Sequence, residues 1–173
     1  LPPGERGNLA GYSMAVTQQL ASVRLGQLFP YMKSEKSYMC PADRLDNNFY
    51  QRNVYITSYV WNGAIVGFGG IAPKTYKITD PKLKPNNILQ WETDEKTPFF
   101  FNDSSSFPDE GLSARHGKGA TMGLLDGSTE GVVVRAWYGN TLAGIAGQRG
   151  NAIPLALLPN RLWYNPGNLY GRN

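Results

Sequence analysis

The single histidine of the chain and a nearby aspartate-glycine pair mark the first place where the sequence could do chemistry. The stretch "SARHGKGATMGLLDGSTEGVVV" contains His116, and nine residues separate it from Asp126-Gly127. An imidazole paired with a carboxylate can act as a general base when the two groups lie within about 2.6–3.2 Å. The alternative is that each residue stabilises its own bend of a folded hairpin.

The spacing of these residues favours the structural interpretation. If residues 120–125 form a strand, they advance the chain by roughly 20 Å, at ~3.3 Å per residue, and separate His116 from Asp126. Asp126-Gly127 suits the backbone angles of a tight turn. His116 is expected to hydrogen-bond to backbone through one ring nitrogen. The sequence therefore predicts a non-catalytic protein, with a hydrolase that uses His116 as an alternative.

Acidic side chains between residues 92 and 110 form a second group, together with an asparagine and three serines. Calcium takes six to eight oxygen ligands from material of this kind. The spacing matches no EF-hand loop, so a solvated acidic loop is the first interpretation and a calcium site is the alternative. A glycosidase-type carboxylate pair is a third interpretation. The candidate calcium ligands are Asp94, Asp103, Asp109 and Glu110.

Four tryptophans raise the question of sugar binding, because indole rings stack on sugars. At strand positions such residues are more often core or half-buried. A carbohydrate- or surface-binding module with exposed tryptophans is therefore kept only as an alternative. The four are Trp61, Trp91, Trp137 and Trp163.

Two familiar motifs are missing from the sequence. The Gly-Lys at positions 117 and 118 has neither the upstream glycine nor the following serine or threonine of a phosphate loop. A Gly-x-Ser-x-Gly nucleophile elbow is absent as well.

Composition places the chain among globular proteins. It has 173 residues, 41% hydrophobic and 17% charged, which predicts one domain over residues 1–173. Twenty glycines and twelve prolines indicate many turns. The net charge of +4 comes from scattered lysines and arginines, so no nucleic acid partner is expected.

Cysteine content and the start of the chain bear on its context. Cys40 is the only cysteine, which excludes an internal disulfide and a Cys-based zinc site. We expect a buried thiol, or one whose partner lies upstream. No apolar run approaches the ~18 residues of a membrane span. The opening "LPPGERGNLAGY" has no initiator methionine and indicates a fragment or processed form.

Periodicity assigns the elements that would position these residues. Apolar residues recur at helical spacing over residues 12–29, and Pro30 should end that helix. Strands are expected over residues 53–63, 87–93, 120–125 and 130–137, the last two as a hairpin around Asp126-Gly127. Residues 96–115 should form a long surface loop. The fold class is α+β, with an N-terminal helix on an antiparallel sheet of about four strands.

Several motifs together resemble those of bacterial prepilin-like proteins, which are similar to type II secretion pseudopilins. The His-x9-Asp-Gly element of His116, Asp126 and Gly127 resembles the family's C-terminal signature. Further likenesses stand in the same order along the chain: "LFPYMKSEKSYMCPAD", the Ser-Tyr-x-x-Asn of "SYVWNG", "ITDPKLKPNNILQWET" with a strand that ends in Glu, and "PNRLWYNPG". The resemblance covers roughly residues 28–167.

The resemblance implies a pilin-like head of a structural or accessory subunit in a cell-envelope assembly. Family members are made with a leader that a prepilin peptidase removes, and a hydrophobic helix anchors them in the inner membrane. That helix would precede this chain, join other pilin-like subunits and leave the head in the periplasm or outside the cell. Related major pseudopilins bind calcium in the head. The residues 28–31, Leu-Phe-Pro-Tyr, and the hairpin are expected to fasten helix to sheet.

Overall fold

The computed structural model describes residues 9–66, 76–106 and 111–133. The chain divides into two compact units, one of Leu1–Tyr59 with Glu95–Ser104 and one of Val60–Asp94 with Ser105–Asn173. Helices and strands are both present, so the predicted α+β class is confirmed. The single domain over residues 1–173 stays a prediction. No helix within the described ranges has the length and hydropathy needed to cross a membrane.

The first unit begins with the predicted helix, which is displaced from its expected bounds. Helix α1 spans Leu9–Leu25 and ends where the chain turns at Gly26, whose N–H donates to the Val23 carbonyl. A second short helix, α2, spans Phe29–Met32. The prediction that Pro30 ends the helix is wrong, because Pro30 lies in the first turn of α2. Backbone N–H groups in the first turn of a helix have no intrahelical acceptor, so a proline there costs no hydrogen bond.

Helix α1 contacts an extended segment that the sequence had assigned to a strand. Ala15 is buried against Phe49 and Tyr55. The Gln19 amide accepts a hydrogen bond from the Tyr55 N–H at 2.9 Å and donates one to the Asn53 carbonyl at 2.6 Å. Since these backbone groups bond to a side chain, no strand partner is needed there. Of the strand expected over residues 53–63, only β1, Tyr59–Asn62, forms.

The loop after α1 and helix α2 expose apolar side chains to water. Tyr31 is 83% exposed, and Leu28 is about half exposed. Residues 28–31 belong to the first unit and the sheet belongs to the second, so the expectation that they fasten helix to sheet stays a prediction.

The second unit contains a five-stranded sheet in the order β3-β1-β2-β4-β5. Strands β2/β4 and β4/β5 are antiparallel, as predicted, but β1 and β3 are parallel. The Asn-Gly at positions 62 and 63 leads from β1 into a short helix, α3. The bounds are Gly63–Val66 for α3, Ile88–Glu92 for β2, Ser105–Ser106 for β3, Gly119–Leu124 for β4 and Thr129–Val133 for β5.

The predicted surface loop over residues 96–115 is partly folded. A 3-10 helix spans Pro98–Phe101 in the first unit, and Phe101 is fully buried. Strand β3 follows in the second unit. Three consecutive phenylalanines follow Pro98 in the sequence. A solvated loop would have few such apolar residues, and here the third of them, Phe101, is buried.

Alternate residues of β4, together with buried residues of β1 and β2 and with Leu112, form the core of the second unit. Trp91 is fully buried in this core, so it cannot stack on a sugar, whereas Trp61 is half-buried. Trp137 and Trp163 lie outside the described residues. The core consists of Val60, Ile88, Trp91, Leu112, Ala120, Met122 and Leu124.

The β4–β5 hairpin closes at Asp126-Gly127, as predicted. The Leu124 N–H donates to the Ser128 carbonyl at 2.9 Å, and the Gly127 N–H donates to the Leu124 carbonyl at 3.1 Å. Gly127 has φ = 84°, the left-handed conformation that ends a three-residue hairpin loop. The turn is also bonded to the segment before β2, because Leu125 and Asp126 donate to the carbonyls of Asn87 and Pro85.

Replacing Gly127 tests this backbone requirement. A Cβ at Gly127 would have no atom within 4 Å, so Gly127→Val should be destabilising through φ alone, by about 1–2 kcal/mol. A Cβ added at Gly131, in β5, would also meet open space, and Gly131 has no positive φ, which makes Gly131→Val the matched control. Urea unfolding should show a loss of stability in the first variant only. Equal stabilities for the two variants would contradict the turn assignment.

The Asp126 carboxylate offers a pH test of the same turn. The Ser128 hydroxyl and then its backbone N–H hold the pKa of Asp126 below its ordinary value of 3.8. Because the folded pKa is lowered, this stabilisation is present above pH 3.8 and is lost as the pH falls through the folded pKa.

We expect Ser128→Ala to raise the pKa of Asp126 towards 3.8, since the hydroxyl is the largest cause of the shift. Ser128→Thr keeps a hydroxyl and should retain the low pKa. NMR titration of the Asp126 carboxyl carbon measures both. An unchanged pKa in the alanine variant would refute the assignment.

Candidate functional site

The last residue of β2 places a fully buried carboxylate in the second unit. Glu92 Oε2 accepts the Thr121 N–H at 2.7 Å, and Glu92 Oε1 lies 3.1 Å from His116 Nε2. An ionised carboxylate can only accept, so the donor from His116 is its Nε2–H. The Thr121 N–H belongs to β4, next to the Trp91↔Met122 pair. If β2 were longer, a backbone carbonyl of that strand would accept the Thr121 N–H. Because β2 ends at Glu92, the Glu92 side chain accepts this hydrogen bond instead.

A tight loop brings His116 to this carboxylate. The His116 N–H donates to the Gly119 carbonyl at 3.2 Å, and the Lys118 N–H donates to the His116 carbonyl at 3.1 Å. Gly117 has φ = 84°, so the loop uses a left-handed residue. A Cβ on Gly119 would lie 2.0 Å from the Val132 carbonyl oxygen, so only glycine fits there beside β5. The two glycines thus allow the loop to fold back.

The predicted separation of His116 from Asp126 is present in the structure, and the imidazole has a partner that the sequence did not predict. His116 precedes β4 and Asp126 follows it, so the two residues lie at opposite ends of that strand. One ring nitrogen of His116, Nε2, contacts the Glu92 carboxylate, and the expected bond to backbone stays a prediction. In the sequence Glu92 stood out only as the end of a strand, because a residue 24 positions before His116 gives no signal of contact with it.

A second set of hydrogen bonds stabilises the same end of the sheet. The Ser113 N–H donates to the Glu92 carbonyl at 2.9 Å. The Ser113 hydroxyl accepts from Arg115 Nε at 2.8 Å, and Arg115 Nη2 donates to the Thr93 carbonyl at 3.3 Å. Residues 113–115 are therefore fastened alongside residues 92 and 93, which positions the following histidine.

The geometry of the Glu92–His116 pair permits two kinds of role. A carboxylate that orients an imidazole is the arrangement of a general base, and the His116 side chain is 44% exposed. The same contact is also a structural tie between β2 and the loop before β4. Glu92 additionally accepts the Thr121 N–H, so its contact with His116 is part of the pairing of β2 with β4.

The first unit contains a buried ion pair that the sequence did not predict. Arg52 donates to both carboxylate oxygens of Asp43, at 2.7 and 3.0 Å, and both side chains are 1% exposed. The guanidinium carbon lies 3.7 Å from the centroid of the Phe101 ring. The Ser58 hydroxyl donates to Asp43 at 2.8 Å and accepts the Cys40 N–H at 3.0 Å.

The one sequence signal for this pair was the Cys-Pro-x-Asp segment of residues 40–43. Cys40 is buried, as expected, and its sulfur accepts the Ala42 N–H at 3.4 Å. Arg52 had no signal in the sequence, because an arginine nine residues from an aspartate is usually solvated.

The candidate calcium ligands fall in different parts of the structure. Asp94 belongs to the second unit and Asp103 to the first, while Asp109 and Glu110 lie outside the described residues. In the part of the chain that the structure describes, neither Asp94 nor Asp103 joins a group of three side chains with metal-ligand atoms. Calcium binding therefore stays a prediction.

A double-mutant cycle on Glu92 and His116 measures what their contact contributes. Glu92→Gln keeps the shape of the side chain but weakens a charge-assisted acceptor, so we expect a loss of about 1–3 kcal/mol. His116→Ala should lose less, because its ring is partly exposed, and the two effects should couple by at least about 0.5 kcal/mol. Chemical unfolding of the four proteins gives the values. Strict additivity would show that the contact contributes nothing.

Breaking the Asp43–Arg52 pair should be more severe. Asp43→Asn leaves a buried guanidinium without its counter-charge, at a cost of about 3–5 kcal/mol. Glu35→Gln, which breaks the exposed pair with Arg24 in the same unit, is the control and should cost less than about 1 kcal/mol. Thermal unfolding followed by circular dichroism compares them. Similar melting temperatures for the two variants would contradict the importance of the buried pair.

Comparison of the chain with known proteins adds no evidence about its function. No protein-family model, curated protein or solved structure matches the chain. The kinship with prepilin-like proteins therefore stays a prediction based on the motifs quoted above.

Proposed function

We propose that this chain is the head of a non-catalytic structural or accessory subunit in a cell-envelope assembly of the type II secretion or type IV pilus kind. The proposal is supported by one observation about the motifs that resemble the prepilin-like family. In the described residues, the polar side chains of these motifs are hydrogen-bonded within the protein and fasten its own backbone and turns. Such use of buried polar groups makes a fold rigid and unique.

Each motif contributes a different tie. Ser58, of Ser-Tyr-x-x-Asn, links the Cys40 N–H to the Asp43 carboxylate. Asn62 of the same motif is fully buried and donates to the Ile88 carbonyl of β2 at 2.8 Å. Glu92 joins β2 to β4. Asp126 bonds to Ser128 inside the hairpin turn. These residues stabilise a scaffold, which is what a fibre subunit requires.

Under this proposal the chain is one part of a larger assembly. Helix α1 is the continuation of an upstream hydrophobic helix that anchors the protein in the inner membrane and joins other pilin-like subunits. The pilin-like arrangement of helix against sheet belongs to the proposal, as does a head in the periplasm or outside the cell. No nucleic acid takes part.

Processing of the complete gene product tests the proposal. The coding sequence upstream of Leu1 should contain a basic leader followed by a hydrophobic helix. Expressed in a bacterial host with a prepilin peptidase, the full product should be shortened by the leader and should form cross-linked oligomers in the membrane fraction. The same product without the peptidase is the control. A product that the peptidase does not shorten would overturn the proposal.

A hydrolase is the second candidate, because the structure pairs a carboxylate with a partly exposed imidazole. The Glu92–His116 distance of 3.1 Å satisfies the first geometric requirement of a general base. Hydrolysis of p-nitrophenyl esters and a fluorogenic peptide mixture should be measured for the native chain, His116→Ala and Glu92→Gln. We expect no turnover that depends on either residue. Turnover that disappears in both folded variants would favour the enzyme.

A further inference from the structure

The segment from the end of α1 through α2 exposes an unusual concentration of apolar side chains. Leu25 is 89% exposed and Tyr31 is 83% exposed, while Leu28 and Met32 are nearly half exposed. These are four of the nine large apolar side chains exposed in the described ranges, and they fall within eight consecutive residues. The concentration sets this segment, 25–33, apart from the singly exposed residues elsewhere, which need no explanation. We call it the elbow.

The backbone of the elbow is ordered by its own hydrogen bonds. The Phe29 N–H donates to the Gly26 carbonyl, and the Met32 N–H donates to the Leu28 carbonyl at 3.1 Å. Lys33, at φ = 56°, ends the segment with an N–H donated to the Phe29 carbonyl at 2.8 Å. Leu28 and Met32 are one helical turn apart and lie on one side of it. A pre-organised apolar segment binds without a large ordering cost.

Positive charge surrounds the apolar side chains. Lys33 and Lys36 are exposed beside them, and Arg24 precedes them. Glu35 is the one acidic residue in the segment 24–36, and it is paired with Arg24. The two lysines therefore act as uncompensated cations next to the elbow. Their sign matches that of the whole chain, which is +4.

We propose that the elbow is a contact site for the surface of an anionic lipid bilayer. Leucine and methionine side chains would enter the boundary between headgroups and acyl chains, and Tyr31 would lie at headgroup level with its hydroxyl in water. Lys33 and Lys36 would contact anionic headgroups, as basic residues beside a membrane do. The contact concerns residues of this chain only and does not rest on the proposed function or on an upstream anchor.

Charge distinguishes this partner from a second copy of the chain. A self-complementary contact would bring Lys33 and Lys36 of both copies to one interface, where like charges repel. An anionic bilayer offers an apolar environment for the leucine and methionine side chains and negative headgroups for the two lysines.

Vesicle co-sedimentation of the 173-residue chain tests the inference. The probes are phosphatidylcholine vesicles with and without about one third phosphatidylglycerol. Leu25→Ser combined with Tyr31→Ser should weaken binding to the anionic vesicles at least about tenfold. Leu45→Ser is the matched control, because Leu45 is 58% exposed and lies outside the elbow. Lys33→Gln with Lys36→Gln should weaken binding by more than about fivefold and reduce its salt dependence.

Every variant alters an exposed side chain, so melting temperatures should stay close to that of the native chain. The inference is supported if anionic vesicles are bound better than neutral ones and the elbow variants alone lose binding. It is overturned if the native chain binds neither vesicle, or if Leu45→Ser is as damaging as the elbow substitutions. Sedimentation showing dimers that Leu25→Ser and Tyr31→Ser dissociate, without vesicle binding, would also overturn it and assign the elbow to self-association.

Discussion

The second unit depends on a charge that is withdrawn from water. Burying a carboxylate is unfavourable unless hydrogen bonds replace its hydration, so Glu92 constrains whatever surrounds it. Its two oxygens accept from Thr121 and His116, and its backbone carbonyl accepts from Ser113. Three segments of the chain are thereby brought to the end of β2. A shift of β4 by one residue would leave the carboxylate without its backbone donor, so this interaction favours a single register for the sheet.

The first unit uses the same principle with a different pair of groups. The Arg52 guanidinium fills the space beside Phe101 and meets the Asp43 carboxylate in a two-point contact. Ser58 adds a hydroxyl to the same carboxylate. A buried ion pair contributes little to net stability relative to apolar side chains of the same volume, but breaking it is severe. Both units therefore rely on carboxylates whose partners must all be present.

This common principle gives the motif residues a physical meaning. The nine residues between His116 and Asp126 correspond to one tight loop, strand β4 and half of a turn. One end of that strand is tied to β2 through Glu92, and the other end is tied to the segment before β2 through Asn87 and Pro85. The spacing of nine residues is therefore set by the length of β4, which is hydrogen-bonded to other segments at both of its ends. A His116–Asp126 dyad would instead need the two residues at one place.

Local chemistry in the sequence determined the α+β class, the β4–β5 hairpin and strand β2. The Asp126-Gly127 pair predicted its turn because glycine adopts the left-handed conformation readily, and β2 was predicted because a short apolar segment follows turn-forming residues. The sequence could not show that Gln19 bonds to residues 53 and 55, since these partners are distant in the chain. Pro30 was ambiguous for a local reason, because proline suits the first turn of a new helix as well as the end of the preceding one. Tertiary structure alone decided that Glu92 meets His116 and that Arg52 meets Asp43. Such contacts follow from burial, which forces charged groups to find partners across the fold wherever the chain brings them.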